Sequence, residues 1–197
     1  MSVDESFDQI IGDLEFALLV FGEARRGDWA FTLDFIYQSL DAEADTPGPL
    51  FSEAELDSTM IVATPAASYS VYRDGASSIE IGAGGRIWHV ENELSLRAGL
   101  LPARSADETK SWVDPIVLLR ARLGLGSRFY LSGYADIGGF GVASDSTWQL
   151  IGAVGYRFSD RIDGVVGYRH LTVDYEDGGF VWDVEMSGPI LGISFRF

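Results

Sequence analysis

The sequence predicts an all-β chain: an up-and-down antiparallel transmembrane β-barrel, with nine strands visible and eight to ten in the complete protein. Three observations lead there. Apolar and polar residues alternate with period two through nearly all of the 197 residues, and helical periodicity is almost missing. Short and longer turn signals take turns between the alternating runs. Over a central stretch of each strand, such as 61–71, 79–87, 162–170 and 189–197, one parity is free of Asp, Glu, Lys and Arg, while the other parity gathers charge.

The first run, "LEFALLV" at 14–20, sets Leu14, Phe16, Leu18 and Val20 on one face. After the turn "ARRGD", the run "WAFTLDFIY" sets Trp29, Phe31, Leu33, Phe35 and Tyr37 together, against Ala30, Thr32, Asp34 and Ile36. The same period predicts strands near 57–73, 78–94, 112–123, 128–140, 147–158, 161–175 and 181–197. Tight connections fall at 25–28, 73–78, 124–128 and 158–161, and longer ones at 41–56, 95–111, 141–146 and 176–180. Such asymmetry describes a meander with short turns on one side and loops on the other. No linker divides the chain, so 1–197 is expected to be a single domain, with 1–13 an outer-loop remnant or N-terminal extension.

The two parities decide what each face meets. The charged parity holds Glu15, Asp34, Glu80, Arg86, Asp114, Arg120, Arg122, Asp136, Arg157, Asp163, Arg169 and Arg196, interspersed with small residues such as Gly82, Gly84, Gly155 and Gly167. A water-facing surface is rich in Lys and Glu. Here there are thirteen Arg and a single Lys, Lys110. Arg suits ordered, bidentate pairs with carboxylates in confined surroundings. The set therefore reads as lumen ion pairs, with the apolar parity facing lipid. Aromatics near strand ends, among them Trp29, Phe129, Trp148, Tyr156 and Phe158, stand where interfacial girdles belong.

Composition excludes several classes. With 30 acids against 14 bases, a net charge of -16 argues against nucleic-acid binding. The absence of Cys removes disulfides and thiolate metal sites. No apolar run reaches the length of a transmembrane helix. The start, "MSVDESFDQI", has neither the basic nor the apolar region of a signal peptide.

The stretches "EARRGDWAFTLDFIY", "GAGGRIWHV", "DIGGFGVASDSTWQ", "GYRFSDRIDGVVGYRHLTVDYEDGGFVWDV" and "SGPILGISFRF" resemble a group of Gram-negative outer-membrane β-barrel proteins, mostly without an assigned activity. The likeness spans about Leu14 to Phe197. It implies that Leu191, Ile193, Phe195 and Phe197 form a C-terminal insertion signal read by the barrel-assembly machinery. It also implies a signal peptide and one more strand, so the chain is expected to be an N-terminally truncated ten-stranded barrel. Nine strands in a closed barrel would force one parallel seam, and bacterial barrels are normally even.

The remaining motifs are weak. "RGD" at Arg26–Asp28 reads as a tight turn, with Gly27 at positive φ. "GAGGR" at Gly82–Arg86 lies mid-strand and opens no helix, so it lacks a nucleotide-loop context; its glycines are expected to make room for Arg86 and Trp88. "DYEDGG" at Asp174–Gly179 does not match an EF-hand. Many acids, including Asp41, Glu55, Asp57, Glu91, Asp107 and Glu185, map to the outer end, where loose divalent cations could gather. His89 and His170 are the only histidines. His170 lies on the lipid-facing parity near Ser and Asp residues, a permissive setting for catalysis and no more. The expectation is a non-enzymatic outer-membrane protein with a structural or surface role or a narrow pore, without cofactor or resident metal, in contact with outer-membrane lipid and lipopolysaccharide. The alternatives are a lipid-modifying enzyme and a soluble lipocalin-like binder of apolar ligands.

Overall fold

A computed structural model describes residues 14–45 and 51–196. The fold is all-β. Nine strands follow one another: β1 (Leu14–Arg26), β2 (Trp29–Asp45), β3 (Phe51–Asp74), β4 (Ser77–Ala98), β5 (Arg104–Leu125), β6 (Phe129–Gly138), β7 (Ser146–Arg157), β8 (Ile162–Asp177) and β9 (Phe180–Phe195). They pair in sequence order as an antiparallel, up-and-down sheet. Among the described residues no helix is long and apolar enough to cross a membrane, which leaves crossing by strands open.

The short turns follow from glycine. Gly27, Gly75 and Gly126 hold φ of 61°, 57° and 75° at the β1–β2, β3–β4 and β5–β6 turns, a region that residues with a Cβ enter at a cost. The "RGD" segment is such a turn.

Five strands run further than the alternation predicts, β1 reaching Arg26 and β2 reaching Asp45. β3 begins at Phe51, β4 runs to Ala98 and β5 begins at Arg104. These extensions of β3, β4 and β5 lack alternation because polar residues occupy both parities. Side-chain rungs join β3 to β4 there instead. Arg97 binds Glu53 at 2.7 Å and Glu55 at 3.1 Å, Ser58 Oγ donates to Asn92 at 2.7 Å, and Ser52 Oγ donates to the Ala98 carbonyl at 3.1 Å.

The chain forms two compact units. The first is built from 14–22, 33–45, 51–64 and 86–113. Its buried residues include Ile36, Met60, Val62, Trp88, Val90 and Trp112. Trp88 and Trp112 stack with centroids 5.6 Å apart and planes 12° from parallel. Arg86, wholly buried, reaches Thr64 Oγ1 at 3.4 Å.

The second unit comprises 23–32, 65–85 and 114–196. Its ladders place Leu118, Asp136, Gln149, Leu171 and Met186 in one cross-strand row, and Arg120, Tyr134, Ile151, Arg169 and Gly188 in the next. Close approach explains particular glycines. A Cβ on Gly82 would stand 2.3 Å from the Ala67 carbonyl oxygen of β3, so Gly82 admits the neighbouring strand rather than Arg86. A Cβ on Gly155 would enter the Tyr130 ring, which lies flat across β7 at that point.

In both units the parities divide by exposure. Arg86 and Asp114 are 0% exposed and Glu80 and Asp163 2%, whereas Phe31 is 54% and Val166 58% exposed. Glu80, Arg86, Asp114, Asp136 and Asp163 of the charged parity are buried, and the apolar rows lie outside. An ordinary water-soluble protein does the reverse.

Candidate functional site

The buried face of the second unit carries an ion network. Glu80, on β4, accepts from Arg25 of β1 at 2.6 Å, from Arg120 of β5 at 3.1 Å and from Ser68 of β3 at 3.0 Å. Glu23 of β1 joins both arginines, closing the set as two carboxylates and two guanidiniums. Each Glu80 oxygen has a cationic donor, the condition under which a carboxylate survives burial. Arg25 belongs to this network although its side chain is more than a third exposed.

Asp163 is a second hub. It binds Arg196, just past the end of β9, and lies 4.0 Å from Arg122 of β5. The Arg122 guanidinium stands 3.5 Å over the Tyr130 ring, a cation–π contact. The glycine at 155 is what lets that ring lie down.

Asp114 pairs differently. Its carboxylate accepts from the Ser144 backbone N–H at 2.8 Å and from Ser144 Oγ at 2.7 Å. Ser144 belongs to the β6–β7 connection and is wholly buried, so Asp114 draws that loop inward. The loop bends back through Phe140, at φ 52°, and Gly141 N–H donates to the Ser144 carbonyl at 3.1 Å.

Of the other charged-parity residues, Asp34 is half-buried and Asp136 is buried. Asp136 stands opposite Gln149 in the β6–β7 ladder. Among the described residues the buried Gln149 amide has no hydrogen-bond partner, nor has Arg157 Nε. Arg169 sits opposite Ile151 and Gly188. The Glu15 side chain lies outside the described residues. On β9, Leu191, Ile193 and Phe195 share one exposed face; Phe197 lies outside the described residues.

The exposed face holds the two histidines. His170 of β8 stands 4.5 Å from the Trp148 ring. Its Nδ1 is 2.6 Å from Ser187 Oγ and 3.6 Å from a Glu185 oxygen. His89 of β4 is arranged otherwise. Its Nδ1 is 2.7 Å from Ser111 Oγ of β5, and its Nε2 is 3.0 Å from Glu91 Oε1. Sequence reading singled out His170 from its parity and its neighbours. The link from His89 to Ser111 depends on the β4–β5 register, which the connecting segment does not encode.

In the first unit, Asp41, Glu55 and Asp57 bring carboxylate oxygens within 4.8 Å of one another. An exposed acidic group of this kind is common without an ion. Aromatics of the second unit meet near the short turns: Trp29 with Tyr69 at 5.3 Å, and Phe129, Tyr156 and Phe158 in a chain of contacts at 4.9 and 5.0 Å. No family model, curated protein or solved structure matches the chain.

Proposed function

We propose that the chain is an integral β-barrel protein of a Gram-negative outer membrane, with a structural or surface role and a lumen filled by ion pairs. The inversion of the two parities carries this reading. Mixed-sign charge is buried and paired, while rows of Ile, Val, Leu and Phe stand exposed, as lipid requires. A soluble binder of apolar ligands needs Phe31 and Leu131 inside, and both are exposed. On β7 the exposed parity runs Trp148, Leu150, Gly152, Val154, Tyr156. Its two aromatics are roughly 26 Å apart along the strand at ~3.3 Å per residue. With strands tilted by about 40°, that projects to roughly 20 Å along the membrane normal, within the ~25 Å apolar band of such barrels. The filled interior favours a plug over a wide channel. Insertion through the barrel-assembly machinery and contact with lipopolysaccharide belong to the same reading.

The test is to refold the full chain into phospholipid bilayers and introduce a charge at the middle of an exposed row. Leu119→Arg is expected to lower stability by about 2–4 kcal/mol against denaturant, the cost of Arg at a bilayer midplane. Brominated acyl chains are expected to quench an exposed tryptophan such as Trp148 and to spare Trp88. A detergent-free, monomeric chain in buffer, with Leu119→Arg neutral, would overturn the proposal.

A further inference from the structure

We infer that His89, Ser111 and Glu91 form a serine-hydrolase relay on the exposed face, acting on acyl esters of amphipathic lipids. The inference rests on the membrane reading for its substrate, not for its chemistry. The decisive observation is that His89 uses opposite ring nitrogens for its two partners. Ser111 Oγ meets Nδ1 at 2.7 Å and the Glu91 carboxylate meets Nε2 at 3.0 Å. With Nε2–H donating to Glu91, Nδ1 is left as the acceptor for the Ser111 hydroxyl proton, and the nucleophile, base and orienting acid are in line. His170 fails this test, because Ser187 and Glu185 both face the same nitrogen, Nδ1.

The surroundings choose the substrate. Ile87 and Val113 are exposed, and each lies two residues from the relay on the same strand and parity, Ile87 before His89 and Val113 after Ser111. Beyond His89 and Ser111 on the same strands come Glu91, Glu93 and Thr109. The relay thus stands where an apolar row gives way to polar residues. An amphipathic ester would place its acyl chain along the row and its ester at Ser111. On the buried side, the Trp88–Trp112 stack fixes the two strands one residue away from His89 and Ser111.

The reaction balances with water as the co-reactant. Ser111 Oγ bonds to the ester carbonyl carbon as its proton passes to His89 Nδ1. The carbon–alkoxy bond then breaks, and His89 returns that proton to the leaving alcohol, giving an acyl-Ser111 ester. Water adds to the acyl carbon and gives its proton to His89. The bond to Ser111 Oγ breaks, the proton returns to Ser111, and the free acid leaves.

The experiment uses the full chain refolded in phospholipid–detergent micelles, with a fluorophosphonate probe and release of fatty acid from a diacyl phospholipid as readouts. Heat-modifiable migration checks the fold of each variant. Labelling is expected at Ser111 and is lost in Ser111→Ala. His89→Asn is expected to slow acyl release 100-fold or more, the range a general base supplies. Glu91 is a positioning residue: Glu91→Gln is expected to shift the pH profile of acyl release and to slow it, with partial rescue by Glu91→Asp. His170→Asn is expected to leave the rate unchanged. A folded, membrane-inserted chain that takes no label, or keeps it in Ser111→Ala, overturns the relay. Labelling of a chain that stays in the aqueous phase supports the relay and overturns the membrane reading. Hydrolysis of monomeric short-chain esters without gain on micellar ones overturns the lipid assignment.

Discussion

Glu80→Ala is expected to destabilise the protein by about 3–5 kcal/mol, the range for breaking a buried ion pair from one side. The Glu80 carboxylate is the meeting point of Arg25, Arg120 and Ser68, donated from three other strands. Removing it leaves two guanidiniums sharing Glu23 and deprives Ser68 Oγ of its acceptor. Arg25 is more than a third exposed, so water takes up part of its loss, and the effect belongs at the lower end of that range. Glu80→Gln keeps the shape and the acceptor oxygen but not the charge, and is expected to cost less. Replacing the four charged residues together by apolar ones of similar volume is expected to recover most of the loss, since the desolvation of the ions disappears with them. Denaturant titrations in detergent micelles measure all three, and a Glu80→Ala midpoint equal to the parent's contradicts the network's importance.

Trp88→Ala is expected to cost about 3–5 kcal/mol, as large aromatic truncations in cores do. Trp88 is wholly buried and stacked on Trp112, so the variant opens a cavity and removes a ring contact worth roughly 0.5–1.5 kcal/mol. Trp88→Phe keeps most of the volume and should lose far less. The same variant reads out on the exposed face. His89 follows Trp88 in β4 and Ser111 precedes Trp112 in β5. Loosening the stack is therefore expected to reduce fluorophosphonate labelling of Ser111 even where the chain still folds. Equal labelling in the two proteins would show that the relay does not depend on the stack.

The faces of the strands were readable from sequence because side-chain direction in a strand has period two. Phe31 against Ala30, or Val117 against Ile116, needs only the alternation to be sorted. Mixed-sign charge rich in Arg then told which face is enclosed. Strand ends were less readable. Around Glu53, Glu55 and Arg97 both parities are polar, so the alternation vanishes while the pairing continues through side-chain rungs. Contacts across long connections were not readable at all. Ser144 meets Asp114 across 30 positions, and His89 meets Ser111 across the β4–β5 connection. Each depends on register, which a slip of one residue would reverse. Arg25 illustrates the reach of a long side chain: placed beside a turn, it still extends to Glu80.

The extended β3, β4 and β5 have a consequence for proteolysis. β3 alone has 24 residues, far more than the ~9–11 needed to cross a bilayer. The surplus is hydrogen-bonded ladder rather than slack loop, and proteases need slack backbone to bind. Between β4 and β5 the ladder opens only at 99–103, with Leu100 at its tip and Arg104 just beyond. A protease of broad specificity added to the folded protein would have its opening there. The two fragments would stay zipped together through their neighbours and separate only on denaturation.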